Sequence, residues 1–166
     1  MSGEGSWASS LEGTLDGTGL RIVILCTRFH AEITDTLLRA TRDTLVAHGV
    51  REDALEVIRV PGAWELPWIA GRVGEREGID AIIALGCVVR GETPHFDFVA
   101  GEAARGLMEV SLGVDLPVIL GLLTTETIEQ ARERADPARG NKGGEVALAA
   151  IEMARLARDV PGTEPS

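Results

Sequence analysis

The chain has 166 residues, 45% hydrophobic and 25% charged, and its 16 basic against 26 acidic residues give a formal net charge of −10. That length suits one compact domain around one core, and the absence of a dense basic patch disfavours nucleic acid, whose phosphates need clustered Lys and Arg. No apolar run approaches the roughly 18 residues of a membrane span, and Cys26 and Cys87, each alone in an apolar run, read as reduced core thiols rather than a metal site or disulfide framework.

In chain order, residues 1–19 are rich in Gly, Ser and Thr without a period and predict a flexible or loosely docked arm. The arm lacks the basic and apolar regions of a secretion signal, so a cytoplasmic location is expected. "LRIVILC" (20–26) reads as a buried strand and residues 31–49 as a helix with an apolar stripe of Ile33, Leu37, Ala40 and Leu45, closed by Gly49 where positive φ is wanted. "ALEVIRV" (54–60) is a second strand and residues 64–77 a second helix, with Pro67 tolerable only in its first turn. A third strand (80–90), a third helix (95–113), a fourth strand (116–124) and helices at 126–134 and 144–158 complete the pattern. Apolar strands alternating with amphipathic helices predict an α/β fold, a three-layer α/β/α sandwich on a parallel sheet.

In such a sheet, ligands bind beyond the carboxyl ends of the strands. Four polar turns fall at that edge: "TRFH" (27–30), "PGAWE" (61–65), "RGETPH" (90–95) and "TTET" (124–127). In "RGETPH", Gly91 allows close backbone approach and Thr93 offers a hydroxyl beside a helix N-terminus, which suits a phosphate. The same residues equally suit a polar cap, with Thr93 bonding backbone and Pro94 at the first helical position. His95 is placed to move protons near neutral pH, or to be a surface histidine. Glu92, His95 and Asp97 match no familiar metal-ligand spacing, and no metal is expected.

Phe29 and Trp64 follow strands, where a ring can stack on a heterocycle or pack into the core. Glu65 can cap its own helix or accept hydroxyls of a polyol. In "GNKGGE" (140–145), Lys142 is a cation between glycines, and Arg134 is one of several arginines on a polar helix.

Taken together, "RFH" near 30, "VPGAWELP" (60–67), "LGCVVRGETPHFDFV" (85–99), "PVILGLLTTETIEQARERA" (117–135) and "GNKGGEVALAAIEM" (140–153) resemble lumazine synthase, a transferase and the penultimate enzyme of riboflavin biosynthesis. The resemblance implies a flavodoxin-like domain over 14–158 with a four-stranded parallel sheet, between flexible segments 1–13 and 159–166. It implies condensation of 5-amino-6-(D-ribitylamino)uracil with 3,4-dihydroxy-2-butanone 4-phosphate, without metal or organic cofactor. By the same resemblance Phe29 stacks on the pyrimidine, Ala63, Trp64 and Glu65 hold the ribityl chain, and the backbone of Cys87, Val88 and Val89 bonds the ring. Phosphate lies between Gly91, Glu92 and Thr93 on one side and Arg134 on the other, Lys142 helps near it, and His95 shuttles protons.

The chain departs from the family pattern at His30, where Asn is frequent, and at Leu120, where many members carry a Phe that reaches a neighbouring subunit's site. The resemblance further implies pentamers, twelve of them closing into a sixty-subunit shell around a riboflavin synthase cargo, with the arm near residues 14–19 adding a strand to a neighbour's sheet. Two other readings stay open: a non-catalytic flavin or lumazine carrier with the same sheet, which needs neither His95 nor Arg134, and a small α/β phosphosugar-binding or regulatory module, for which "VPGAWELP" has no obvious purpose.

Overall fold

The computed structural model describes residues 10–162. Of the segments expected to be flexible, 1–13 and 159–166, residues 1–9 and 163–166 lie outside them. Four strands, β1 (Ile22–Thr27), β2 (Leu55–Val60), β3 (Ala81–Val89) and β4 (Val118–Thr125), form one parallel sheet in the order β2-β1-β3-β4. The helices are α1 (Ala31–Ala47), α2 (Leu66–Gly74), α3 (His95–Val114), α4 (Ile128–Ala135) and α5 (Lys142–Asp159). None of the described helices is long and apolar enough to cross a membrane.

The alternation of side chains along a strand divides the core between the two sheet faces. Ile22, Ile24 and Cys26 of β1 and Ile83, Leu85 and Cys87 of β3 face α1, α4 and α5 through Leu37, Ala131 and Ile151. Val23 and Leu25, with Ile82 and Ala84, face α2 and α3 through Leu66, Ala70 and Leu107. Each large aliphatic side chain so enclosed contributes about 1.5–3 kcal/mol. Both layers of the expected sandwich are therefore present, and both cysteines are free and buried.

Helix spacing is set by small residues. A Cβ on Gly106 would lie 2.8 Å from the Pro67 ring, so α2 and α3 touch there. A Cβ on Gly143 would lie 2.6 Å from the Leu37 carbonyl oxygen, which brings the start of α5 onto α1, where the Thr41 hydroxyl donates to Gly143 O at 3.0 Å.

Some local expectations change. β2 was expected to be apolar throughout, yet Glu56 and Val57 are exposed, because β2 is an edge strand paired only with β1. The second helix opens as a short 3-10 turn, Ala63–Glu65, and places Pro67 in the first turn of α2, where its missing N–H costs nothing. α5 begins at Lys142 rather than 144: Asn141, at φ 47°, caps it by accepting from Gly144 N at 3.2 Å.

The stretch preceding β1 lies on its own chain. Gly17 N donates to His48 O at 2.7 Å, and the Arg155 guanidinium donates to the carbonyls of Asp16, at 2.6 Å, and Thr18. Residues 10–21 form no strand in the single chain.

Candidate active site

A cleft of about 850 Å³ opens beyond the carboxyl ends of β1, β2 and β3. It sits where the chain order reverses between β1 and β3, the place where an open parallel sheet splits its loops apart. Three of the four polar turns read from the sequence meet there.

The loop after β1 supplies Phe29 and His30. Its backbone continues the sheet: Arg28 N donates to Val60 O at 2.8 Å and Phe29 N to Pro61 O at 3.1 Å. His30 then adopts a left-handed conformation, φ 57° and ψ 52°, at the start of α1, and its ring meets that of Phe29 edge-on at 4.5 Å. Phe29 is left 67% exposed, so it is not a core residue of the single chain.

The loop after β2 supplies Ala63, Trp64 and Glu65. Trp64 is 61% exposed and Ala63 is buried. Glu65 caps its own turn, one carboxylate oxygen accepting from Gly62 N at 3.1 Å. The other oxygen has no partner among the described hydrogen bonds, so one carboxylate can serve both roles considered for it.

The end of β3 brings Cys87, Val88 and Val89 to the cleft wall, followed by Gly91, Thr93 and His95. Burial pushes the Cys87 thiol up to about 11, which keeps it neutral and unreactive at physiological pH. The cap considered for Thr93 does not form: no side chain caps α3, and Pro94 stands at the N-cap rather than the first helical position. The first turn of this 20-residue helix therefore ends in uncapped N–H groups beside Gly91 and Thr93, an arrangement that favours an anion.

The other candidates lie elsewhere in the single chain. Glu92 is exposed and does not line the cleft. Arg134 and Lys142 line a second cavity of about 370 Å³ at the end of β4, with Thr124 and Glu145. Lys142 is half-buried and paired with Glu145 at 2.8 Å, whereas Arg134 is exposed and enters none of the ion pairs among the described residues, although its neighbours Arg132, Glu133 and Arg139 do. Leu120, 45% exposed on the edge strand β4, lines neither cavity. Among the described residues, no three or more His, Cys, Asp or Glu are grouped to hold a metal ion.

Reading the sequence for a site missed Phe96, Phe98 and Val99, which also line the cleft. Their signal was the aromatic spacing in "HFDFV", the first turn of α3. It also passed over Arg90, which pairs with both Asp97 and Glu126 next to residues 91–95.

Residues 19–158 match the family model described as 6,7-dimethyl-8-ribityllumazine synthase. The 6,7-dimethyl-8-ribityllumazine synthase of Aquifex aeolicus (strain VF5) is 48% identical over 145 residues, covering 87% of this chain and 94% of that protein. With the family match running from before β1 to the last turn of α5, the chain belongs to the 6,7-dimethyl-8-ribityllumazine synthase family.

Proposed function

We propose that this protein condenses 5-amino-6-(D-ribitylamino)uracil with 3,4-dihydroxy-2-butanone 4-phosphate to give 6,7-dimethyl-8-ribityllumazine, releasing phosphate and water. The observation that carries the reading is the convergence of Phe29, the Ala63–Glu65 turn, the end of β3 and His95 on one cleft beside the uncapped start of α3. The pyrimidine stacks on Phe29 and bonds the backbone of Cys87, Val88 and Val89. The ribityl chain runs along Ala63, Trp64 and Glu65 towards His30. The four-carbon phosphate sits at Gly91, Glu92 and Thr93.

The chemistry asks little more of the protein. One amine condenses with the ketone and water leaves, phosphate is eliminated to leave an enol that becomes a carbonyl, and the second amine closes the ring on that carbonyl with loss of a second water, with no net redox change. Proximity and an anion hole supply most of the rate. His95 relays protons between the amines, the departing oxygen and solvent.

No Lys or Arg is among the described residues lining the cleft, so a phosphate dianion bound there lacks a cation. Arg134 and Lys142 are available at the far edge of the sheet. We therefore place the complete site between two subunits: one contributes the cleft, the next contributes Arg134, Lys142 and Leu120. A contact of unlike surfaces repeated by rotation closes into a ring, here a pentamer, with twelve rings forming a sixty-subunit shell in the cytoplasm and β2 offering an open edge for a neighbour's arm. Residues 14–158 are the folded unit of that assembly. Purified protein given both substrates should make a product with lumazine absorbance and fluorescence, and sedimentation should show a mass of five subunits or a multiple of five. An inert mixture, or an active monomer, would overturn the corresponding part of this reading.

A further inference from the structure

We propose that Arg90 is a positioning residue for the anion loop: it anchors residues 91–95 between two elements and offsets one of the two carboxylate charges that flank them. Arg90 is the first residue beyond β3, and its backbone N–H donates to Thr125 O at 2.9 Å. Its Nε lies 2.9 Å from a Glu126 carboxylate oxygen in the β4–α4 loop. Its two terminal nitrogens donate to the two oxygens of Asp97, at 3.4 and 3.3 Å, in the first turn of α3. The guanidinium also lies 4.5 Å over the Phe96 ring. One side chain thus ties the start of α3 to the loop after β4, with the anion loop between.

The described hydrogen bonds give Gly91–Pro94 no other side-chain anchor, all four residues are exposed, and no side chain caps the helix that follows. The position of this loop is therefore inherited from Arg90 and its partners. The charge balance is equally local. Asp97 and Glu126 place two carboxylates beside a loop that must accept a dianion, and Arg90 is the cation paired with both. Loss of Arg90 leaves both charges facing the incoming phosphate. Lysine reproduces only part of this: it carries the charge but has no planar fork to serve two carboxylates and stack on a ring at once. The network is largely solvated and adds little to folding stability, so its effects on phosphate and on stability can be measured apart.

The inference rests on the reading that phosphate binds at Gly91–Thr93, and the test separates the two. Kinetics with each substrate varied, and inorganic phosphate as competitor, would be measured for the wild type, Arg90→Gln, Arg90→Lys, Thr93→Val and the charge-neutralised Arg90→Gln/Asp97→Asn/Glu126→Gln. Arg90→Gln should raise the KM for the phosphate substrate and the inhibition constant of phosphate about 10-fold, the size of one unmasked charge near a partly solvated anion. The KM for the pyrimidine should stay within about 2-fold. The triple variant should regain most of the phosphate affinity but not kcat, since neither of these two carboxylates then faces the phosphate while the loop remains unanchored. Arg90→Lys should fall between wild type and Arg90→Gln, and it carries the comparison if Arg90→Gln does not fold.

Equal losses for both substrates, or a triple variant no better than the single one, would make Arg90 merely structural and overturn the proposal. If Thr93→Val weakens phosphate while Arg90→Gln does not, the proposal falls and the phosphate site stands. If neither variant affects phosphate, the site assignment falls and the proposal with it.

Discussion

The cleft at the ends of β1, β2 and β3 and the smaller cavity at the end of β4 are opposites in chemistry. The first is walled by aromatic and aliphatic groups, with His95 at its edge and no Lys or Arg among its described lining residues. The second is less than half its size, holds Arg134 and Lys142, and has no aromatic lining. Aromatic surface and cationic charge thus stand on different parts of one sheet. The difference teaches that residues of one motif set can be separated within a single chain, and in the proposed function the two groups meet only between subunits.

The cleft half is most severely tested by His95→Ala, which should slow turnover by roughly 10- to 10⁴-fold, the range for one general acid–base group. Unchanged turnover in a folded variant would remove His95 from the chemistry. The division itself is tested by mixing. His95→Ala and Arg134→Ala, each impaired alone, should recover activity when unfolded and refolded together, because roughly a quarter of the interfaces in randomly mixed rings pair two intact halves. No recovery, despite mixed rings detected by native mass spectrometry, would place both halves in one subunit.

A smaller effect should come from Arg134→Lys, which keeps the charge but loses bidentate pairing. It should raise the KM of the phosphate substrate by about 10-fold and leave the pyrimidine unaffected. Equal effects on both would make Arg134 structural. Smallest of all, Cys87→Ala should change kcat by less than about 3-fold, since a neutral buried thiol supplies only backbone and packing. The Cys87 thiol is raised from 9.0 to about 11 by burial, so the stability it lends is complete below pH 9 and is lost as pH rises towards 11. Urea titrations of wild type and Cys87→Ala across that range should converge as pH rises; parallel curves would show that the thiol does not titrate as described.

Much of this arrangement was legible along the chain because it is local. Strand and helix periods, Gly49 at φ 98° after α1 and the polar turns after each strand depend on neighbours a few residues away. The site was less so. That four turns share one edge follows from a parallel sheet, but which turns touch depends on the order β2-β1-β3-β4, a long-range pairing. It sets the turn after β4 apart from the other three at the cleft, and with it Arg134 and Lys142. The helical start at Lys142 was hidden for a related reason. Two adjacent glycines read as a turn, yet Gly143 is small because Leu37 lies against it, a contact spanning most of the chain. Arg90 went unnoticed because its partners, Asp97 and Glu126, are ordinary surface carboxylates until the fold brings them to one guanidinium.

The two backbone bonds from Arg28 and Phe29 to Val60 and Pro61 carry the sheet ladder past the last strand residue and under the exposed aromatic ring. The amides of Arg28 and Phe29 should therefore exchange with deuterium at rates typical of the sheet rather than of a surface loop. Such a shelf fixes the backbone that carries the Phe29 ring. In the proposed function, a heterocycle stacking on Phe29 therefore meets little cost of backbone ordering.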